Sequence, residues 1–173
     1  MASTGRCSRS AERRSSRVVQ RRAWQRGGVQ VCSDRSFTFA VPPEVLWSVI
    51  ADVGSYRRWW PWLRAFEAVG LVTGDVWRCE VSPPLPYVLS FTVTLDDVEA
   101  HRFVAATVRG DIEGSATLEV RPRGDGAEAR LVSALAPRNP VLRAAAVVAG
   151  PVVRYGHDWV LDTGARQLVA RAL

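Results

Sequence analysis

Apolar and polar positions alternate with a period of two through the middle of the chain and recur with a helical period on either side of it. Residues 29–40 end with Phe37 and Phe39 set against Ser36 and Thr38, which predicts a half-buried strand. Val41-Pro42-Pro43 stops it, and proline is tolerated in a first helical turn, where its missing N–H has no partner to lose. Leu46, Val49, Ile50 and Val53 then follow Glu44 at helical spacing, with Asp52 and Gly54 at the end. A short second helix is predicted within 55–64, ended or kinked at Pro61. From residue 66 the period is two, and strands are predicted at 66–71, 76–82, 87–95, 101–109, 112–121 and 127–135. Gly74-Asp75 and Gly124-Asp125-Gly126 mark turns, and the prolines of 83–86 break the ladder. On these strands Trp77, Cys79 and Val81 share a face, as do Tyr87, Leu89, Phe91, Val93 and Leu95, and Gly114, Ala116, Leu118 and Val120.

Pro137 and Pro140 introduce a long helix over about 141–172, which Gly150-Pro151 should kink. After the kink, Val153, His157, Val160, Leu161, Gly164 and Leu168 share one side, and Arg154, Asp158, Asp162 and Arg166 the other. This assigns Asp158 and Asp162 to solvent and His157 to the sheet. The order of elements predicts an α+β domain: a curved seven-stranded antiparallel sheet wrapped around the long C-terminal helix, with two short helices after strand 1 sealing one end. A sheet closed on a single helix leaves an apolar pocket between them.

Charge changes the picture only at the start of the chain. Residues 1–28 hold eight Arg and one Glu, whereas 29–173 hold fifteen Arg and sixteen acids. The net +6 therefore belongs to an Arg/Ser-rich tail, expected to be disordered, and the near-neutral domain is 29–173. The tail lacks the apolar stretch of a secretory signal. It reads as a solvated extension, as an electrostatic arm for nucleic acid or anionic lipid, or as a misassigned start with Val29 opening the native protein. Nucleic acid is otherwise an unlikely partner for so neutral a domain. All basic residues are Arg, as coding bias in a GC-rich bacterial genome would produce. No apolar run reaches the roughly 18 residues of a transmembrane segment. The three cysteines, Cys7, Cys32 and Cys79, form no metal-binding or disulfide pattern, and a reducing cytoplasm is the simplest setting.

The segment from Phe37 to Pro61, FTFAVPPEVLWSVIADVGSYRRWWP, resembles the opening of the START-like, or SRPBCC, superfamily. The stretches GDIEGSATL from Gly110 and YGHDWVL from Tyr155 are similar to its bacterial branch of polyketide cyclase/dehydrase and lipid transport proteins. The resemblance spans about 30–173 and implies the helix-grip fold. It also implies a lipid- or polyketide-like ligand, or a cyclase, but no catalytic set from a characterised cyclase maps onto these residues.

Candidate chemistry is sparse. The sequence has no phosphate loop, no GxSxG and only two His, so it calls for no metal and no cofactor. Trp59, Trp60 and Trp62 read either as a satellite core or as the rim of the pocket, and Trp77, Tyr87 and Phe91 as sheet packing or as aromatic walls. His157 is the one titratable group on a mainly apolar face. Burial would keep it neutral, able to orient a ligand carbonyl or move a proton, which makes it the candidate catalytic residue. The plainer reading, and the preferred one, is a histidine satisfied by a backbone carbonyl or at the helix margin. His101 is placed in a solvated turn and Arg78 on the polar face. The leading functional reading is binding of a hydrophobic small molecule between sheet and helix. A polyketide cyclase/aromatase-like activity, with positioning supplying most of the rate, is the alternative. The third reading is a protein-interaction module without a ligand.

Overall fold

The structure, a computed structural model, describes residues 30–84, 87–140, 142–143 and 150–173, the side chains of 150–154 excepted. The tail expected over 1–28 and the first part of the expected C-terminal helix lie outside the described residues, and the expected kink at Gly150-Pro151 falls at their edge. The strands are β1 (Val31–Phe39), β2 (Leu63–Glu67), β3 (Val76–Val81), β4 (Leu89–Glu99), β5 (Phe103–Gly110), β6 (Ile112–Arg123) and β7 (Gly126–Pro137). The helices are α1 (Pro43–Ala51), α2 (Tyr56–Trp59) and α3 (Gly150–Ala172), with one 3-10 turn at Val53–Ser55.

The sheet runs β1-β7-β6-β5-β4-β3-β2, antiparallel throughout. Strands β2 to β7 are successive hairpins, and β1 returns to pair with β7. The register puts the predicted apolar set on one face: Phe37 opposite Ala129, Ala129 opposite Val120, Leu118 opposite Leu131, and Trp77 opposite Val93. This is the concave face of a helix-grip fold. The sheet can bend because at Gly114 a β-carbon would lie 1.9 Å from the carbonyl oxygen of Ala134, so the β6 and β7 backbones meet where only glycine fits.

Two strands depart from the expected bounds by more than two residues, and each carries a bulge. Strand β2 begins at Leu63 and ends at Glu67, because a register shift between Leu63 and Ala65 interrupts the alternation that marks a strand. The residues after it turn instead, and the Asp75 carboxylate accepts hydrogen bonds from the backbone N–H of Val69 (3.1 Å) and Gly70 (2.8 Å). Strand β4 continues to Glu99 past a second shift between Leu95 and Asp97. Helix α2 stops at Trp59, ahead of Pro61. The core joins both layers. Leu46 of α1 is fully buried with Trp47, Tyr56 and Trp59 against Phe39, Leu95, Val120 and Ala127. The Tyr56 hydroxyl donates to the Ile50 carbonyl at 2.5 Å and ties α2 back to α1. Helix α3 makes its principal backbone approaches to β1 and α2, and so crosses the sheet from one edge to the short helices.

Candidate functional site

The candidate site is the concave face of the sheet beneath α3, and the helix is held there in two places. On the β1 side, Ser33 and Arg35 continue the inward parity of Phe37 and Phe39. Arg35 reaches Asp158 (Nη2 to Oδ1, 3.2 Å) and Asp162 (Nη1 to Oδ1, 3.7 Å). This corrects the assignment of both aspartates to solvent. They lie one turn apart on α3, and an arginine on the inner face of the edge strand draws them to the sheet. His157 does face the sheet: its Nε2 lies 3.2 Å from the Ser133 hydroxyl. Burial pushes the imidazole below its ordinary pKa, nearby Arg35 adds to this, and Asp158 opposes it. The ring is therefore neutral at neutral pH. Ser33 lies directly opposite Ser133, and its buried hydroxyl has no partner among the described residues.

On the other side the contacts are indole rings. Trp60 donates its N–H to the Gly164 carbonyl (3.0 Å) and Trp62 donates to Gln167 Oε1 (3.0 Å). Trp60 and Trp62 stack at 5.7 Å, and Trp159 meets Trp62 edge-on at 6.4 Å. A β-carbon at Gly164 would stand at ordinary contact distance from Trp62, 3.5 Å, so a longer side chain there would meet the rings. Arg171 donates to the carbonyls of Arg58 (3.1 Å) and Trp59 (3.0 Å), placing a cation at the negative end of α2. Tyr56 sits at the centre of the aromatic group, 4.6 to 5.9 Å from the rings of Trp59, Trp60, Phe66 and Trp77.

Between these two attachments runs the concave wall. Trp77, Phe91, Val93, Leu118 and Leu131 point into it and remain half-buried, as does Val160 on α3. The Trp77 N–H is held by the Gly70 carbonyl (2.9 Å) and Asp75 (3.1 Å), which fixes the ring. Trp59 is buried, 3% exposed, and its N–H has no partner among the described residues. Tyr87 is half-buried just ahead of β4, and burial raises its hydroxyl pKa. Cys79 is a free, buried thiol pushed up to about 12 by desolvation, so it stays protonated and is no nucleophile. Arg78 points outward to Glu67 at 3.5 Å. His101 is exposed at φ 63°, its ring 5.9 Å from that of Trp47.

Among the described residues, two surface grooves flank the sheet. One, about 380 Å³, lies between the start of β2 and α3 and is lined by Pro61, Trp62, Arg64, Ser82, Trp159 and Gln167. The other, about 390 Å³, runs over β2 to β5 among Glu67, Arg78, Glu80, Thr92 and Arg109. Among the described residues no group of His, Cys, Asp and Glu is placed to hold a metal ion, and no helix is long and apolar enough to cross a membrane.

The sequence reading missed Ser33, Arg35 and Ser133. Their inward parity is legible, because Ser33 and Arg35 alternate with Phe37 and Phe39, and Ser133 alternates with Leu131 and Leu135. That β1 pairs with β7 and meets α3 there is a tertiary fact.

Solved structures share this architecture at low sequence identity. A START superfamily protein from Mycobacterium smegmatis superposes with a TM-score of 0.64 at 16% identity, over 81% of this chain and 95% of that one. The Zhui aromatase/cyclase from Streptomyces sp. R1128 gives 0.62 at 17%, over 83% and 98%. Norcoclaurine synthase from Thalictrum flavum, solved with dopamine and hydroxybenzaldehyde, gives 0.56 at 14%, over 84% and 90%. No curated protein matches the chain. The family described as polyketide cyclase/dehydrase and lipid transport matches residues 30–172, almost the whole chain after the basic tail, and the protein belongs to it.

Proposed function

We propose that the protein binds a hydrophobic small molecule, lipid- or polyketide-like, between the concave face of the sheet and α3. One observation carries this reading: Trp77, Phe91, Val93, Leu118 and Leu131 face the helix yet stay half-buried. Apolar side chains on the inner face of a two-layer domain ordinarily close on their neighbours. Here α3 approaches chiefly β1 and α2, so the middle strands keep apolar surface for an occupant. Trp60, Trp77 and Phe91 supply ring faces, Tyr87 the rim, Trp59 the backing of Trp60, and His157 a polar contact. Cyclisation and lipid transport, two of the activities in the family's description, both call for such an occupant.

Nile red, an uncharged apolar dye, tests the reading. Trp77→Ala and Phe91→Ala should each weaken its binding about tenfold, equivalent to about 1.4 kcal/mol. Arg78→Ala, on the convex face, should leave it unchanged. Failure of the unaltered protein to bind the dye, or equal effects of all three substitutions, would overturn the reading.

A cyclase-like reading draws on His157, whose neutral imidazole beside the Ser133 hydroxyl is a base able to take a proton from an acidic methylene. Ring closure of a poly-β-keto thioester, lost in His157→Phe while Nile red still binds, would favour catalysis over carriage.

A further inference from the structure

The groove between β2 and α3 has a composition unlike the second one. Its polar side chains are Arg64, Ser82 and Gln167, and none is acidic. Arg64 occupies the bulge of β2, the extra residue between inward Leu63 and outward Ala65, and a bulge re-aims the side chain it carries. Among the described residues Arg64 has no carboxylate partner. An indole N–H can only donate, so the bond from Trp62 fixes the Gln167 amide with its oxygen toward the ring. That leaves the Gln167 NH₂ as a donor. The groove thus offers a guanidinium, an amide NH₂ and a hydroxyl beside the Trp62 and Trp159 rings. The second groove has Glu67 and Glu80 among its walls.

The far side of the interior has the opposite character. There Arg35 faces two carboxylates, Asp158 and Asp162, next to a neutral imidazole. An anionic group is disfavoured at that end and favoured at the Arg64 end.

We propose that the groove at Arg64 binds the anionic head, carboxylate or phosphate, of an amphipathic molecule. Arg64 is the counter-ion, Gln167 and Ser82 are hydrogen-bond donors, and the Trp62–Trp159 corner holds the apolar part next to the head. This rests on the reading that the apolar remainder lies under α3. A guanidinium suits either head because its fork matches both carboxylate and phosphate oxygens.

Calorimetry with decanoate, decyl phosphate and 1-decanol, which share a tail and differ in charge, tests the assignment, with Nile red as the separate gauge of the interior. The unaltered protein should bind both anions more tightly than the alcohol, and the tighter anion identifies the head group. Arg64→Gln should weaken the anions about five- to tenfold and leave 1-decanol and Nile red unchanged. Gln167→Glu still accepts the Trp62 N–H but puts a carboxylate in the groove, and should weaken the anions at least as much. Nile red binding with no preference for the anions, or a preference that survives Arg64→Gln, overturns the Arg64 site and leaves the interior reading standing. Loss of Nile red binding in the unaltered protein overturns the interior reading, and the amphiphile proposal with it. Acetate and inorganic phosphate displacing the long-chain anions at equal concentration would mark a plain anion site and overturn the amphiphile.

Discussion

Helix α3 is tied to β1 and β7 at Asp158, Asp162 and His157, and to the segment after α2 at Gly164 and Gln167. The first attachment consists of charges and a hydroxyl, the second of stacked indoles. They differ in what they contribute. The guanidinium and carboxylates of the first are about a third exposed, and exposed ion pairs contribute about 0.2–1 kcal/mol each. Rings buried as Trp59 is contribute several times that when lost. The aromatic end therefore anchors the helix, and the polar end sets its orientation and its response to pH. The same division places polar contacts at both ends of the proposed cavity and ring faces along one side.

Substitutions at four positions test this contrast, in order of decreasing effect. Trp59→Ala removes a buried ring from the aromatic end and should cost about 3–5 kcal/mol in denaturant unfolding. A cost below about 1 kcal/mol would mean that the aromatic end is not the anchor. Gly164→Leu should force Trp60 and Trp62 off their hydrogen bonds to α3 and cost about 1–3 kcal/mol. Gly164→Ala fits the same contact distance and should be neutral or stabilising by up to about 1 kcal/mol. Similar losses for both would show that the close packing is not the cause.

The third concerns pH. The folded pKa of His157 lies below its unfolded value of 6.5, so between the two the unfolded chain binds more protons. The stability this group contributes is complete above about 6.5 and is lost as pH falls toward the folded pKa. The Asp34 and Glu128 carboxylates are held below their usual range by hydrogen bonds from Arg130 and Arg121, and give up their contribution only at still lower pH. Unfolding titrations from pH 7.5 to 5 should show stability falling in the unaltered protein and a flatter profile in His157→Phe. Identical slopes would remove His157 as the cause. The smallest effect is expected of Arg35→Gln, a loss of about 0.2–1 kcal/mol that shrinks in high salt. A salt-independent loss of several kcal/mol would make this end the stronger attachment.

Much of the fold is legible in the alternation, and its failures are local. Period two breaks wherever a strand carries an extra residue, so it misses the start of β2, on the far side of Arg64, and the end of β4, on the far side of Asp96, each inside a register shift. The site is less legible. The face of Trp77, Phe91 and His157 follows from periodicity, but a helical wheel assigns Asp158 and Asp162 to water because it contains no partner strand.

By itself the sequence determined which residues share a face, because strand and helix periods are properties of the local backbone. It determined the order of elements and, through the family resemblance, the helix-grip class. Only the tertiary structure decided that β1 closes on β7, and so that Ser33 lies opposite Ser133 and Arg35 beneath Asp158 and Asp162. It alone brought the indoles of Trp60 and Trp62 onto Gly164 and Gln167, 104 and 105 residues away in sequence. The reason is distance along the chain. These pairs are separated by 100 or more residues, and no local period carries information across a closure set by strand pairing.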